Sequence, residues 1–521
     1  MAWREPKDPE SNAADRGCSA VREELECIVR ATQLSERPDR NKGNAMFKKI
    51  LCGIAAIFAL AWSVPRGSAV DITVDAVKRY QTIDGFGTCL ISWEPAMARY
   101  YERPETARIY AEDLRFNILR CNLWGDGTIG PTEDLTKINY KDPVFASRDP
   151  RTPVFIKFAK AIKRINPDAK IIGTVWSPPA WMKENASITD TKSGAALRGD
   201  YRTEKGDELR NRVAKKYYPH FVKWMVEMAK YYAANGAPLY AISPANEPEF
   251  TQTFESCVWT SEDLVTVIAM LGAELDREGL SKIKIFGPES MTGFNWNGGP
   301  NARFDRMVRA NPEAWKHFGI FASHGYTNGV TGEMGSESSA GYWSLIKDTG
   351  KPYWVTEGGT GEHSWPAAVG PKGVAAGLHN AFVAGNASAF VPWQFAENSR
   401  SEHNLMHLSG PTKKTHVVRH YSRYIPAGSA RIGADPAYGG VLASAYALPK
   451  GQGVTIVLTN PGTEPQAVTV TLKGLARVKK LIEVRTSATE DSKSLPPVAV
   501  ESEKARIELP GQSIVTLTTL E

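Results

Sequence analysis

Eight short apolar runs alternate with helical segments between residues 81 and 420, and this alternation constrains the fold more than any other feature. Between the runs, apolar residues recur at three- and four-residue spacing, as from Tyr218 to Tyr232 and from Leu264 to Leu275, which predicts amphipathic helices. Strands that alternate with helices predict a parallel sheet with crossover helices. Eight such units predict an α/β fold, a (β/α)8 TIM barrel over residues 81–420. The runs are 83–93, 116–124, 170–176, 239–245, 283–288, 320–324, 353–357 and 387–395.

The character of the chain changes after about residue 421. Short β-branched runs follow one another, separated by turns such as Asn460-Pro461-Gly462. This spacing predicts an antiparallel β-sandwich. Residues 70–80 also have the composition of strands, so we expect the side domain to consist of residues 70–80 plus 421–521.

The first 69 residues are expected to lie outside the mature fold. Met46-Phe47-Lys48-Lys49 is a short positive start, 50–64 is an apolar run, and Gly67-Ser68-Ala69 supplies small residues for cleavage. This layout predicts a signal peptide at 46–69, with residues 1–45 a non-native upstream extension. An uncleaved anchor is the alternative, but the run is short for a membrane span. We therefore expect a secreted, periplasmic or cell-surface protein without stable membrane insertion.

Composition excludes several functional classes. Hydrophobic residues at 42% and charged residues at 23% are ordinary for a soluble globular protein. The net charge of +6 becomes about +4 once the 11 basic and 9 acidic residues of the first 69 are removed, too weak a bias to predict a nucleic-acid partner. No metal-ligand cluster or phosphate loop occurs in the sequence, so we expect no cofactor and no metal site.

Three cysteines, Cys89, Cys121 and Cys257, remain after residue 69. An odd number with wide spacing is no disulfide framework. Cys89 and Cys121 each follow a predicted strand and could be neighbours in space. Pairing between them is therefore open, although buried free thiols are the favoured interpretation.

Two glutamates follow strand-like runs directly. Glu247 stands after the fourth run and before Pro248, and Glu357 ends the seventh run before Gly358. Either one alone could be a solvated carboxylate at a loop entry. In a parallel barrel, however, the carboxyl ends of all strands converge on one face. Two converging carboxylates are what cleavage of a glycosidic bond requires.

Four motifs occur in a specific order, and together they resemble glycoside hydrolase family 30. They are Asp84-Gly-Phe-Gly87, Trp176-Ser-Pro-Pro-Ala-Trp-Met-Lys183, Asn246-Glu-Pro248 and Trp354-Val-Thr-Glu-Gly358. The resemblance covers nearly all of the chain after residue 69. It implies a retaining β-glycosidase built from a barrel and a side β-domain. By motif, Glu247 would be the acid/base and Glu357 the nucleophile.

Further candidate residues stand at the other strand ends. Arg120 could support Glu357 or bind a core carbonyl, and Asn246 could hydrogen-bond the sugar 2-hydroxyl. Trp176 and Trp393 could form walls of the subsite or belong to the barrel core. Glu289 ends the fifth run and is a rival for either catalytic role. The predicted substrate-binding set is Arg120, Trp176, Asn246, His324, Tyr326 and Trp393, with His324 and Tyr326 orienting the glutamates.

The predicted partner is a polysaccharide or oligosaccharide. The resemblance admits β-1,6-glucan, β-1,6-galactan, xylan or glucosylceramide-like substrates, and we favour endo-acting cleavage of a polysaccharide backbone. The glucuronoxylan-specific branch carries an Arg/Tyr-rich stretch after the eighth strand, and residues 394–402 fit that pattern poorly. The alternatives are a non-catalytic carbohydrate-binding or adhesion protein, a glucosylceramidase-like exo-glycosidase and a metal-dependent barrel hydrolase.

Overall fold

A computed structural model describes the chain from residue 70 to residue 521, with several gaps. The predicted signal peptide and upstream extension lie outside the described residues. Residues 125–150, between the second and third predicted runs, also lie outside them. The described residues are 70–90, 95–124, 151–191, 194–195, 210–292, 300–327, 333–359, 364–365, 367–398, 403–436 and 440–521.

Strands and helices alternate through the first three quarters of residues 70–521, and strands dominate the last quarter. The strands are β1 Val70–Thr82, β2 Gly85–Cys89, β3 Ile118–Asn122, β4 Lys170–Thr174, β5 Gly194–Ala195, β6 Leu239–Ser243, β7 Phe250–Thr251, β8 Lys284–Thr292, β9 Phe318–Tyr326, β10 Tyr353–Glu357, β11 Ala389–Phe390, β12 Gln394–Glu397, β13 Asn404–His407, β14 Gly410–Pro411, β15 Ala430–Asp435, β16 Leu442–Ala447, β17 Val454–Asn460, β18 Gln466–Lys473, β19 Lys480–Thr486, β20 Lys493–Glu501, β21 Lys504–Leu509 and β22 Ser513–Thr518. The α-helices are α1 Pro95–Tyr101, α2 Pro104–Arg108, α3 Arg151–Ile165, α4 Tyr218–Ala234, α5 Ser261–Arg277, α6 Pro300–Ala310, α7 Pro312–His317, α8 Ser336–Ile346, α9 Val374–Val383 and α10 Lys413–Ser422.

Eight parallel strands close a barrel in the order β2, β3, β4, β6, β8, β9, β10 and β11, which confirms the predicted TIM-like barrel. The closing pair joins β11 to β2, where Ala389 lies opposite Gly85 and Phe390 opposite Phe86. Most of these strands are buried on both faces, because the barrel interior covers one side and the helices cover the other.

The helices pack their apolar stripes on the outside of the barrel. Helix α5 buries Leu264, Val267, Ile268 and Leu271, which recur at three- and four-residue spacing. Its first turn is capped by the Thr260 hydroxyl, which accepts a hydrogen bond from the Asp263 amide at 3.2 Å. The periodicity of the sequence and the observed buried face therefore agree.

The glycines of the Asp84-Gly-Phe-Gly87 motif allow β2 to lie unusually close to β3. A Cβ atom at Gly87 would stand 1.7 Å from the Ile118 carbonyl oxygen, which is far inside van der Waals contact. Gly85 has a φ of +142° and lies against the Asn117 side chain. Asn117 then accepts a hydrogen bond from the Phe86 amide at 3.0 Å and so fixes the start of the strand.

The side domain differs from the predicted sandwich: its strands form a closed, nine-stranded mixed barrel in the order β1, β15, β16, β17, β22, β19, β20, β21 and β18. Two separate packed sheets would leave free edges. Here β1 pairs with β15 on one side, antiparallel, and with β18 on the other, parallel. Because β1 bridges both edges, the sheet curls on itself around an apolar core that includes Ile72, Val74 and Ile456.

The two barrels meet along helix α10. The buried ring of His420 lies between two side-domain strands, with Nδ1 2.8 Å from Thr516 Oγ1 and Nε2 2.9 Å from Thr486 Oγ1. Trp365 adds a second link by donating its indole N–H to the Gln512 carbonyl at 2.9 Å. The side domain is thus fixed to the barrel by polar contacts as well as by packing.

His420 should make the fold sensitive to acid. Burial lowers the pKa of His420 to about 3, whereas an unfolded histidine titrates near about 6.5. The contribution of neutral His420 to the free energy of unfolding is therefore complete above pH 6.5 and is lost as the pH falls toward 3. At pH 5, about 2 kcal/mol of it is lost. We expect His420→Gln to lose less unfolding free energy than the parent between pH 7.5 and pH 5, measured by urea denaturation. The exposed His220, changed to Gln, is the matched control and should behave as the parent does.

Candidate active site

Glu247 follows strand β6 in a backbone conformation that few residues adopt. Its φ is +45°, and its amide donates a hydrogen bond to the Glu289 carbonyl at 3.0 Å. A non-glycine residue in the left-handed region is strained, and such strain concentrates at functional positions. One carboxyl oxygen lies 3.2 Å from His324 Nδ1, and the other accepts from Gln252 Nε2 at 3.4 Å.

Glu357 is the last residue of strand β10, and three side chains surround its carboxylate. Arg120 Nη1 lies 2.6 Å from Oε1. The Tyr326 hydroxyl donates to Oε2 at 3.1 Å, and His324 Nδ1 lies 3.2 Å from the same oxygen. The side chain is 3% exposed, so these contacts replace most of the water that would otherwise solvate the charge.

Glu247 and Glu357 meet at one end of the barrel, with His324 between them. One oxygen of each glutamate and one ring nitrogen of His324 lie within 4.8 Å of one another. Strand β9 carries both His324 and Tyr326, so one strand orients both glutamates. The sequence predicted this convergence from the positions of the fourth and seventh runs.

The surroundings give the two glutamates different acidities. Burial raises the pKa of Glu247 well above its usual range, and the nearby charges of Glu357 and Glu249 raise it further. Burial also raises the pKa of Glu357, but Arg120 and the Tyr326 hydroxyl counteract that rise. Glu357 therefore ionises before Glu247, and the pair can hold one proton on Glu247 beside one negative charge on Glu357.

His324 stays neutral in this setting. Burial and the neighbouring Arg120 lower the pKa of His324 well below its usual range. A neutral imidazole carries one proton, and Nδ1 faces carboxyl oxygens on both sides. Hydrogen bonding to an ionised carboxylate therefore favours the tautomer with the proton on Nδ1.

Arg120 is the hub of the site and is fully buried. Besides Glu357, its guanidinium contacts Glu289 Oε1 at 3.1 Å and donates to Asn246 Oδ1 at 2.7 Å. It also lies 4.4 Å above the Trp176 ring, a cation–π contact. The arginine predicted to stand near Glu357 is therefore next to it, and in contact with Asn246 and Trp176 as well.

Asn246 is held with its amide nitrogen available. Its carbonyl oxygen is occupied by Arg120, and among the described residues its Nδ2 has no hydrogen-bond partner. Trp176 and Trp393 lie side by side, with ring centroids 5.9 Å apart. Trp176 packs with Cys89 at the end of β2, and Trp393 packs against this pair. All eight predicted site residues thus belong to one cluster.

The sequence left Glu289 open as a rival for a catalytic role, but the structure places its carboxylate against Arg120. Its Oε1 is taken by Arg120 and its Oε2 accepts from the Thr174 hydroxyl at 2.9 Å. The side chain is fully buried behind Arg120. Glu289 is therefore not a rival for Glu247 or Glu357 but a partner of Arg120.

The last residue of the Trp176-to-Lys183 motif, Lys183, links two loops of the site. Lys183 Nζ donates to Ser177 Oγ at 3.1 Å and to the Ser256 carbonyl at 2.7 Å. The ammonium thereby joins the loop after β4 to the segment between β6 and α5, which carries both Glu247 and Ser256. Burial lowers the pKa of Lys183 to about 8.

Three further residues contact the site, namely Gln252, Glu249 and Thr174. No pattern in the sequence distinguished them from ordinary loop or strand residues.

The spacing of Glu247, His324 and Glu357 would also suit a metal ion, but the donor set does not. Arg120, 2.6 Å from Glu357, already supplies the positive charge that balances the carboxylates. A divalent cation would lie beside a fixed guanidinium, and Coulomb repulsion at that distance is large in a buried site.

The three free cysteines Cys89, Cys121 and Cys257 are all buried, and the first two do not pair.

The chain matches no protein-family model. It is 23% identical over 406 residues to the glucuronoxylanase XynC of Bacillus subtilis (strain 168), an alignment that covers 74% of this chain and 79% of the relative. Over 87 residues it is 31% identical to the endo-1,6-β-D-glucanase of Neurospora crassa, which covers 17% of this chain and 15% of that protein.

The fold is similar to that of Xyn30A from Clostridium acetobutylicum, a glycoside hydrolase family 30 subfamily 8 xylanase. The TM-score is 0.65 at 23% sequence identity, and the match covers 86% of this chain and 98% of that one. Both the barrel and the side domain are therefore part of the shared architecture.

Arg120 should matter for stability as well as for the site. We expect Arg120→Gln to lower the unfolding free energy by about 3–5 kcal/mol at pH 8, because two buried carboxylates lose their counter-ion. The loss should shrink toward pH 5, since protonated carboxyls need no counter-ion. Urea denaturation at both pH values tests this. Arg277→Gln is the matched control, since its side chain is 59% exposed and its loss should stay within about 0.5 kcal/mol.

Proposed function

We propose that this member of glycoside hydrolase family 30 is a retaining β-glycosidase that cleaves β-linked polysaccharide by double displacement. The observation that carries the proposal is the approach of Glu247 and Glu357, whose facing oxygens lie within 4.8 Å. Retaining enzymes hold their carboxyls about 5–5.5 Å apart, whereas inverting enzymes need about 6.5–9.5 Å to accommodate a water. The spacing favours direct attack on the sugar.

In the first step, Glu357 attacks the anomeric carbon while the glycosidic C–O bond breaks. Glu247 gives its proton to the departing oxygen. The environments support this division, because Arg120 and Tyr326 favour the ionised form of Glu357, whereas burial and Glu249 favour the protonated form of Glu247. The Nδ2 of Asn246 is placed to donate to the sugar 2-hydroxyl, a contact that strengthens in the transition state.

In the second step, Glu247 changes from acid to base because Glu357 has lost its negative charge. Glu357 is now an uncharged ester, so its negative charge no longer raises the pKa of Glu247. Glu247 can therefore act as a base toward water, which releases the sugar with its β configuration retained. Nδ1 of the neutral His324 lies 3.2 Å from an oxygen of each glutamate and forms a hydrogen bond with Glu247.

For the substrate we propose the backbone of a β-1,6-glucan, a β-1,6-galactan or a xylan, cleaved in endo mode. The relatives named as a glucuronoxylanase and an endo-1,6-β-D-glucanase support this range. Export from the cell belongs to the same proposal and rests on the signal-like run at 50–64. Among the described residues, each helix is too short or too polar to be a candidate membrane span.

The two glutamates can be tested separately. Glu247→Gln should lower the turnover of glycans by about 10²–10⁴-fold, because the leaving oxygen loses its proton donor. Glu357→Gln should lower it to background. Azide should rescue Glu357→Gly with formation of an α-glycosyl azide, because it attacks from the side of the sugar that the missing carboxylate occupied. Glu255→Gln, a partly exposed glutamate on the loop after β7, is the control and should keep parental turnover.

Two results would contradict this assignment. Parental hydrolysis in both Gln variants would remove Glu247 and Glu357 from the chemistry. Unchanged glycan binding with no hydrolysis in any protein, the parent included, would identify a carbohydrate-binding protein instead.

A panel of linear β-1,6-glucan, β-1,6-galactan and xylan, with glucosylceramide as a lipid-linked substrate, tests the substrate class. We expect a ladder of oligosaccharides from at least one polysaccharide, resolved by product sizing, and no effect of a chelator. Monosaccharide as the only product would indicate exo cleavage, and release of sugar from glucosylceramide alone would reject the polysaccharide substrate.

A further inference from the structure

We propose that Glu289 is a positioning residue: it is the permanent counter-ion of Arg120, and keeps that guanidinium paired while Glu357 is converted to an ester. The inference rests on the proposed function, because it concerns a charge that disappears only if Glu357 is the nucleophile. It assigns a role to a glutamate that lies in a barrel strand near the catalytic pair but is fully buried and cannot reach a substrate.

Arg120 is shared between two carboxylates. Nη1 lies 2.6 Å from Glu357 Oε1, while both Nε and Nη2 lie 3.1 Å from Glu289 Oε1. Arg120 and Glu289 are each fully buried, so water does not substitute for either contact. Because a guanidinium is planar and rigid, the carboxylate that holds Nε and Nη2 also determines where Nη1 points.

Glu289 is itself held firmly. Its second oxygen accepts from the buried Thr174 hydroxyl at 2.9 Å. Its backbone has a φ of +60°, and its carbonyl accepts from the Glu247 amide at 3.0 Å. A strained residue kept in one conformation by neighbours on two sides is a rigid support for the group it contacts.

The charges change during the reaction. Before attack, Arg120 faces Glu289 and Glu357, two negative charges. When a Glu357 oxygen bonds to the anomeric carbon, the glycosidic bond breaks and the leaving oxygen takes the proton of Glu247, so Glu357 becomes neutral. Without Glu289, the buried Arg120 would then have no carboxylate partner, and an unpaired buried charge is strongly unfavourable. With Glu289 the ion pair persists in the glycosyl-enzyme.

Glu289 also limits how strongly Arg120 acts on the nucleophile. Burial raises the pKa of Glu357, Arg120 lowers it, and the charge of Glu289 raises it again. Without Glu289, the full charge of Arg120 would stabilise the Glu357 carboxylate and make it a weaker nucleophile. The titratable and charged groups that face Glu357 are Arg120, Glu289, Glu247, His324, Tyr326 and Cys89.

The test is Glu289→Gln, which preserves shape and the oxygen that faces Arg120 but removes the charge. On a polysaccharide that the parent cleaves, we expect kcat/KM to fall about tenfold or more. We expect the acid limb of its pH profile to move down by about one unit, because Glu357 becomes more acidic. The pre-steady-state burst with an activated aryl glycoside should shrink, because the glycosyl-enzyme is destabilised.

Glu227→Gln is the matched control. Glu227 is also buried and paired with lysines, Lys223 and Lys230, but lies on helix α4 outside the barrel. Its loss should lower Tm without moving the acid limb. If Glu289→Gln does not fold, Glu289→Asp should show a smaller shift in the same direction, since its carboxylate retreats from Arg120.

The outcomes separate the two proposals. An acid limb within about 0.2 units of the parent, with kcat/KM within about twofold, would overturn the role of Glu289, whichever variant shows it. That result would leave the double displacement intact as long as azide still rescues Glu357→Gly. Loss of rescue, or full activity without Glu357, would instead overturn the proposed function.

Discussion

The buried guanidinium of Arg120 is the contact on which the rest of the site depends. It comes from strand β3, yet it fixes side chains from three other parts of the barrel: Glu357 at the end of β10, Glu289 in β8 and Asn246 after β6. A charge this deeply buried is tolerated only where its partners are complete. The strands must therefore close in one register, because a slip of one residue would turn these side chains away from one another. The register that closes the barrel therefore also brings the side chains of the site together.

Much of the barrel and the centre of the site could be predicted from the sequence, because both depend on local patterns. Alternation of apolar runs and helical stripes located all eight strands, and a glutamate at a strand end located Glu247 and Glu357. The closure of the side domain was not predictable in the same way. It depends on β1 pairing in parallel with β18, almost four hundred residues later in the chain, and no local alternation of residues encodes that partner. The partners of Glu289 were missed for a related reason, since a buried carboxylate looks the same in sequence whether it faces a pocket or an arginine.

The difference in acidity between two chemically identical side chains follows from where each is placed. Glu247 sits in a strained turn near Glu249 and Glu357, both of which add negative charge. Glu357 ends a regular strand, where Arg120 and the Tyr326 hydroxyl face it. The backbone decides which neighbours each carboxyl meets, and the neighbours decide which one keeps a proton. Neutral His324, in contact with both, lets the proton distribution change without adding a charge of its own.

Strand β1 has a consequence for how the protein is made. It is the first described strand, and its Val70–Asp75 segment needs the Val468–Lys473 segment of β18 to complete its hydrogen bonds. At a ribosomal speed of about 5–20 residues per second, β1 emerges roughly 20–80 s before that partner exists. During this interval it is an unpaired edge, the kind of segment that associates with foreign strands. The side-domain barrel therefore cannot close until β18 has been synthesised, and until then β1 lacks its native parallel partner.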